Sequence, residues 1–407
     1  MISEHASPLA ALGGEDSGGQ NVYVAELARH LGAMGHQVDV FTRRDSKLLP
    51  EVVHFDEKVR VVNLSAGPAK VVTKDELFPL MAGLRDAFYR FARSEPAAYD
   101  LVHANFWMSG WVACEAKKDL GLPFAHTFHA LGEIKKREQG DADTSPPERP
   151  ATEFRILEEA DLVLATCPAE VEELTILYEA DPTRLALVPC GVDAEKFRAV
   201  DRREAREELG LPEGPTVVYV GRLVPRKGVD TLVEAFALLP PHLGARLVVV
   251  GGEPEPGESL EILRLSDLAS KLGVEERVIF TGSRPQKDLY HYYNAADVSV
   301  TVPHYEPFGM TPLEAMACAT PVIGSRVGGI KTSVADGKTG FLVPPKNAQA
   351  LANRLLRLLA DENLRDRMGR AARRRIEQHY TWERVAALAA AAFSEVAART
   401  PGVSKTA

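Results

Sequence analysis

The chain has 407 residues, of which 45% are hydrophobic and 26% charged, with a formal net charge of −9. That length exceeds one ordinary core and implies two or three domains, while the acidity argues against broad nucleic-acid binding, so any phosphate site is local. No apolar run approaches the roughly 18 residues of a membrane span, and the first residues show neither the basic region nor the apolar core of a secretory leader.

The first notable stretch is GGEDSGGQNVYV, residues 13–24, with four glycines ahead of a helical pattern. Glycine lets backbone N–H groups approach a ligand closely, and a helix start favours phosphate. The stretch fits neither GxGxxG nor a GK[ST] phosphate loop, and a plain flexible loop explains it equally well on spacing alone. Within residues 20–34, Val24, Leu27, Ala28, Leu31 and Met34 repeat at helical spacing, and Gly35 is the expected stop. Short apolar runs then recur at Val38–Phe41, Leu101–His103, Leu162–Leu164 and Ala186–Val188.

FAHTFHALG, residues 124–132, places His126 and His129 at the end of an apolar run. Along a strand those two rings point in different directions, which disfavours a shared metal; each reads as a structural histidine or as a hydroxyl ligand facing a cleft. Residues 138–150 are polar and Pro-rich and predict a loop. Four cysteines, Cys114, Cys167, Cys190 and Cys318, show no CxxC spacing and read as reduced thiols of a cytoplasmic protein. The charged, turn-rich residues 194–213 mark a domain boundary. The expected division is 1–195, then 196–378, then a helix over 379–400 long enough to return to the first domain.

The second half repeats the pattern, with runs at Val217–Val220, Leu247–Val250, Val278–Phe280, Val298–Val302 and Phe341–Val343. Most are apolar on both faces, as in a covered parallel sheet. Strand-helix alternation over this length predicts an α/β chain of doubly wound, Rossmann-like domains. GRLVPRKGVD, residues 221–230, follows the strand ending at Val220 and places Arg222 and Lys227 on a strand-to-helix connection. Two cations there suit a diphosphate, although a solvated basic loop is the commoner meaning of such a pair. HYEPFGMTPLE, residues 304–314, then brackets a Pro- and Gly-containing turn with Glu306 and Glu314. Free N–H groups from Phe308, Gly309, Met310 and Thr311 at a helix start would share the diphosphate. Carboxylates accept hydroxyl pairs well, so hydroxyls at both ends of a diphosphate describe a nucleotide sugar. A favourable helix dipole alone explains Glu314, but explains Glu306 less well.

In order along nearly the whole chain, DSGGQNVYVAELARHL, VPCGVD, GRLVPRKG, EPFGMTPLE and VGGIKTSVADGKTGFLVPP resemble the retaining glycosyltransferases of family 4 with the GT-B fold. The similarity is greatest to the sucrose-phosphate-synthase-like and inositol-phosphate branch. The resemblance implies two Rossmann-like domains facing across a cleft. It implies that Arg222 and Lys227 neutralise the donor diphosphate, with amides of Phe308, Gly309, Met310 and Thr311 adding contacts. Glu314 would hold the ribose, Glu306 the donor sugar, and Arg284 the base. His129 would contact the transferred sugar, and Gly19 would let the glycine loop close. Transfer would proceed with retention and without a cofactor or a metal for chemistry.

For the acceptor, the resemblance implies Asn21, Lys74 in TKDEL and Arg149 as phosphate contacts, with Phe106 beside them. Two departures stand out: the branch has tyrosine at Phe106 and threonine at Ala130. The expected acceptor is therefore a small phosphorylated sugar or polyol other than inositol phosphate itself, with lipid or polysaccharide as the alternative. Only Met1-Ile2-Ser3 stand where the family has a full opening strand, so an upstream start and a weakened first domain are expected. The partners expected are a nucleotide sugar and a small acceptor, with no nucleic acid; a homodimer is left open. The rival classes are a nucleotide-sugar epimerase, a glycan phosphorylase and a silent nucleotide-sugar binder.

Overall fold

The computed structural model describes residues 1–10, 18–95, 98–253 and 259–399. The chain divides into two compact units, Met1–Pro189 with Trp382–Ala407, and Cys190–Thr381. The crossings lie at Pro189/Cys190 and Thr381/Trp382 rather than at 195/196 and 378/379. Val192 N–H donates to the Tyr380 carbonyl at 2.8 Å, which pairs both connecting segments within the second unit.

In the first unit, β1 (Val38–Arg43), β2 (Val52–Asp56) and β3 (Val59–Leu64) form one group in the order β1-β3-β2. A second group, β4 (Val102–Asn105), β5 (Phe124–Thr127), β6 (Leu162–Ala165) and β7 (Leu185–Leu187), is parallel and in sequence order. The opening residues join the groups, because Ile2 bridges Phe41 on one side and Ala104 on the other. Ile2 N–H donates to His103 O at 2.8 Å, Ser3 N–H to Phe41 O at 2.9 Å, and Asn105 N–H to Ile2 O at 2.9 Å. Ile2 is thus paired on both sides by the neighbouring strands. Burial of the Met1 amine lowers it to about pH 6, opposed by Asp39.

The helix Gly19–Ala33 covers this sheet, and Gly35 follows its end at φ 104°. The helix Trp382–Arg399 packs on it, setting Trp382 edge-on to Tyr23 at 5.9 Å and Phe393 against His103 at 5.1 Å. The predicted loop at 138–150 is shorter than expected. The helix Gly132–Gln139 enters it, and the helix Arg149–Glu159 begins inside it, with Pro150 accepted in the first turn.

The second unit holds β8 (Thr216–Val220), β9 (Arg246–Val250), β10 (Val278–Gly282), β11 (Val298–Thr301), β12 (Val322–Ser325) and β13 (Gly340–Val343), all parallel. Their order is β10-β9-β8-β11-β12-β13. The chain winds outward from β8 to one side and then from β11 to the other, which opens a crevice beyond the carboxyl ends of that adjacent pair. Five of these six strands have matching apolar runs, within one or two residues at the ends. The sequence missed β12, where Gly324 and Ser325 dilute a short run, and also β2 and β3, where β2 is half-exposed at the sheet edge.

Candidate active site

Beyond β8, the connection Gly221–Gly228 carries three cations. Arg222 is exposed, whereas Arg226 and Lys227 are partly buried, with side chains 26% and 19% accessible. Gly228, at φ 67°, ends the connection; a Cβ there would lie 2.2 Å from the Val302 carbonyl. Only glycine lets this loop lie against the segment leaving β11, where His304 N–H donates to Arg226 O at 2.8 Å. A second close approach holds the same segment from behind, because a Cβ on Gly328 would lie 1.7 Å from the Glu306 carbonyl.

The two segments meet through charge. Lys227 Nζ donates to Glu306 Oε2, and Arg226 Nη1 stands 3.6 Å from the same oxygen while donating to Tyr305 O at 3.2 Å. Burial would raise the Glu306 carboxyl, but Lys227, Arg226 and Arg222 outweigh it and hold the group below its ordinary range. Burial pulls Lys227 down, with Glu306 opposing. The helix Met310–Ala317 starts beside this pair, and its N-cap Gly309, at φ 89°, offers no side chain to the first amides. Phe308 is buried, so its side chain is core and its backbone alone faces the loop. Met310 and Thr311 open the helix with amides that helix geometry leaves pointing outward.

Glu314 lies one turn into that helix and is buried. Tyr293 Oη donates to its Oε2 at 2.7 Å, and Lys196 bonds Gln286 at 2.6 Å alongside. Desolvation raises the Glu314 carboxyl, with Tyr293, Lys196 and Gln286 pulling the other way. Arg284 follows β10 and is exposed. The structure therefore brings Arg222, Lys227, Glu306 and the Gly309–Thr311 amides together. It sets Glu314 apart with its own partners and leaves Arg284 without a described contact to the group.

In the first unit, two strand ends are unusual. Phe106 follows β4 at φ 77° and His129 lies beyond β5 at φ 60°, a conformation that side chains with a Cβ seldom adopt. Asn105 Nδ2 donates to Ile2 O at 3.3 Å and His103 O at 3.4 Å, which turns its Oδ1 to His129 Nε2 at 3.0 Å. His129 therefore carries its proton on Nε2 and keeps Nδ1 as an acceptor. Burial, reinforced by His5, lowers His129 to about pH 3, so it is neutral. Phe106 takes Lys74 Nζ at 5.9 Å, the Arg149 guanidinium at 5.2 Å, and the edge of His5 at 5.1 Å.

Arg149 is buried and committed. Its Nε pairs with Glu153 at 2.7 Å and its Nη2 donates to Ala130 O at 2.6 Å; Glu153 also accepts from Tyr178 Oη at 2.6 Å. Asn21 is committed too, accepting from Gly18 N–H at 2.9 Å and donating to Ser7 O at 3.0 Å. Gly19 is the exposed first residue of its helix, and residues 13–17 of the glycine stretch lie outside the described residues. Sequence reasoning missed Arg226, Tyr293, Gln286, Asn105 and the pair Glu4–His5, joined at 2.7 Å. Arg226 sat in plain view inside PRKG; the others lacked a local signal, because their meaning comes from neighbours on other strands.

Residues 17–196 match the model of Glycosyltransferase Family 4, and residues 201–375 match Glycosyl transferases group 1. A D-inositol 3-phosphate glycosyltransferase of Acidothermus cellulolyticus is 41% identical over 385 residues, spanning 91% of this chain and 84% of its own. The chain belongs to the family 4, group 1 glycosyltransferases. Another D-inositol 3-phosphate glycosyltransferase, from Kribbella flavida, is 40% identical and spans 97% of this chain and 94% of its own. Sucrose-phosphate synthase from Thermosynechococcus elongatus superposes with a TM-score of 0.90 at 36% identity over 98% of each chain. This glycosyltransferase accordingly has the GT-B architecture of two Rossmann-like units. Among its described residues, no helix is long and apolar enough to cross a membrane.

Proposed function

We propose that this glycosyltransferase moves a hexose, with retention, from a nucleotide diphosphate sugar to a small phosphorylated sugar or polyol. One observation carries the donor half: three cations and an uncapped helix start converge beside a buried carboxylate at the crevice of the second unit. Arg222, Arg226 and Lys227 would neutralise the diphosphate, and the Gly309–Thr311 amides would follow its charge as the bond to the anomeric carbon breaks. Glu306 would hold sugar hydroxyls and Glu314 the ribose. A neutral His129 would accept a hydrogen bond from a sugar hydroxyl at Nδ1 without adding charge near an oxocarbenium-like centre. Much of the rate enhancement would come from positioning and from stabilising the departing diphosphate.

The acceptor half rests on Lys74 and Arg149 meeting over Phe106. Arg149 is neutralised by Glu153, so Lys74 would supply the net charge for an acceptor phosphate. The relatives carry names of enzymes that act on inositol phosphate or make sucrose phosphate, and both concern small phosphorylated polyols or sugars. Phe106 and Ala130 bring no hydroxyl to this place, which favours an acceptor other than inositol phosphate.

The test is product formation, read by mass spectrometry. UDP-, GDP- and ADP-linked glucose, N-acetylglucosamine and mannose are paired with inositol phosphates, hexose phosphates and their dephosphorylated forms. A glycosylated phosphate with one donor supports the reading. Donor isomerised or hydrolysed without acceptor product, or transfer indifferent to the phosphate, would sink it. Lys74→Ala should raise the acceptor KM about tenfold, as for loss of a charged hydrogen bond, and leave the donor KM in place.

A further inference from the structure

We infer that Lys196 and Phe197, where the chain enters the second unit, set Glu314 as a reader of a vicinal diol, so that the donor is a ribonucleotide sugar and 2′-deoxyribonucleotide sugars are rejected. This rests on the donor reading above, in which Glu314 holds the ribose. The observation is that both hydrogen-bonding partners of this buried carboxylate are themselves held. Tyr293, fully buried, donates from Oη to Glu314 Oε2 at 2.7 Å, and Gln286 bonds the same carboxyl. Lys196 Nζ donates to Gln286 Oε1 at 2.6 Å, which turns the N–H groups of that amide toward Glu314. Phe197 stands edge-on to the Tyr293 ring at 6.1 Å, and Thr320 Oγ1 donates to Tyr293 O at 2.8 Å. Arg373 Nη1 donates to Phe197 O at 3.1 Å and to Ala317 O at 2.7 Å. It thereby ties the entering segment to the carboxyl end of the helix that carries Glu314.

An ionised carboxylate has about four acceptor sites, and Tyr293 and Gln286 fill part of them. What is left suits two hydroxyls presented side by side, as the 2′ and 3′ groups of a ribose are. Deleting the 2′-hydroxyl leaves a buried acceptor unpaired. A site built to bond a hydroxyl rejects the analogue lacking it far more strongly than an apolar pocket rejects a missing methylene. A carboxylate free to turn could re-aim at whichever hydroxyl remained, and the discrimination would be lost. Glu314 is held from two sides, and its holders are held in turn by neighbouring residues of one segment. Lys196, Gln286 and Tyr293 are therefore positioning residues, which act on the ribose through Glu314.

The experiment is calorimetric titration of the full chain with UDP, GDP and ADP and with their 2′-deoxy counterparts, at fixed ionic strength. Wild type should bind at least one ribonucleotide about 10–100-fold tighter than its 2′-deoxy counterpart. Tyr293→Phe and Gln286→Leu should each cut that ratio at least about threefold by weakening the ribonucleotide, with the 2′-deoxy form held within about twofold of wild type. Lys196→Met should cut it in the same way, and Lys196→Arg, which keeps a cationic donor, should restore it. A variant that only loosens the fold weakens both nucleotides alike and leaves the ratio unchanged. Where Tyr293→Phe does not fold, Lys196→Met decides, because that side chain is only half-buried. A wild-type ratio below about twofold, or variants that all keep the wild-type ratio, overturns the inference while leaving the donor reading intact. If wild type binds neither series, the donor reading falls with it.

Discussion

The crevice of the second unit is charged, whereas the matching strand ends of the first unit are close to neutral. Beyond β8 and β11, three cations face a carboxylate whose ordinary titration range is pushed down. Beyond β4 and β5 stand histidines that burial keeps uncharged, an amide, an arginine already matched to Glu153 and, over Phe106, Lys74. Both ends sit where open sheets bind ligands. On the proposed function, the contrast lets one scaffold serve two chemistries. A leaving diphosphate needs fixed charge, which acts strongly in a shielded site. An acceptor hydroxyl needs orientation, and a charge beside it would disturb the electron-poor sugar.

The sharpest way to break the comparison is at Lys227. Lys227→Ala should lower kcat/KM by about 10²–10³-fold, as for other donors to developing negative charge. Transfer within threefold of wild type would show that the charged crevice does not do this chemistry. Next comes the buried pair of the first unit. Glu153→Gln leaves Arg149 buried beside a neutral partner and should cost about 3–5 kcal/mol in urea unfolding. A loss below about 1 kcal/mol would mean that Arg149 finds solvent, and that this unit is less neutral than its geometry indicates. The smallest effect is in pH. His126 is fully buried, and neither ring nitrogen has a hydrogen-bond partner among the described residues. Burial holds it well below the ordinary histidine value. Below about pH 6.5 the unfolded chain therefore binds more protons than the folded one, and stability falls as pH falls, by about 1.4 kcal/mol per unit for His126 alone. In the second unit the depressed Glu306 loses its contribution only as pH drops below the ordinary carboxylate range. Thermal melts from pH 7.5 to 5.5 should then shift the first unit selectively, and His126→Phe should reduce that shift, leaving the part due to His103 and His129.

Much of the charged crevice was legible because its residues arrive in two short blocks, 221–230 and 304–314, each following an apolar run. The diphosphate reading needed only residue types and their place at strand ends. The neutral site was less legible for physical reasons. Phe106 and His129 announce themselves by left-handed backbone, which no residue type encodes. Asn105 matters because its amide is oriented by Ile2, more than a hundred residues away. The expected roles of Asn21 and Arg149 came from resemblance, and the structure shows both side chains holding the chain itself. The shape of the sheets was readable wherever strands were uniformly apolar. It failed at β2, an edge strand, and at β12, where Gly324 and Ser325 dilute a short run.

The helix Trp382–Arg399 has a consequence for how the molecule is made. It closes the first unit, burying Trp382 beside Tyr23, yet it is synthesised after the whole of the second unit. At ribosomal speeds of about 5–20 residues per second, the first unit waits roughly 10–40 s with that face of its sheet uncovered. Its last packing step is a long loop closure, slow by its contact order, while the second unit can fold as a continuous segment. A nascent chain halted just before Trp382 would thus carry a finished second unit and an unfinished first one, and chaperones would meet the amino-terminal half longest.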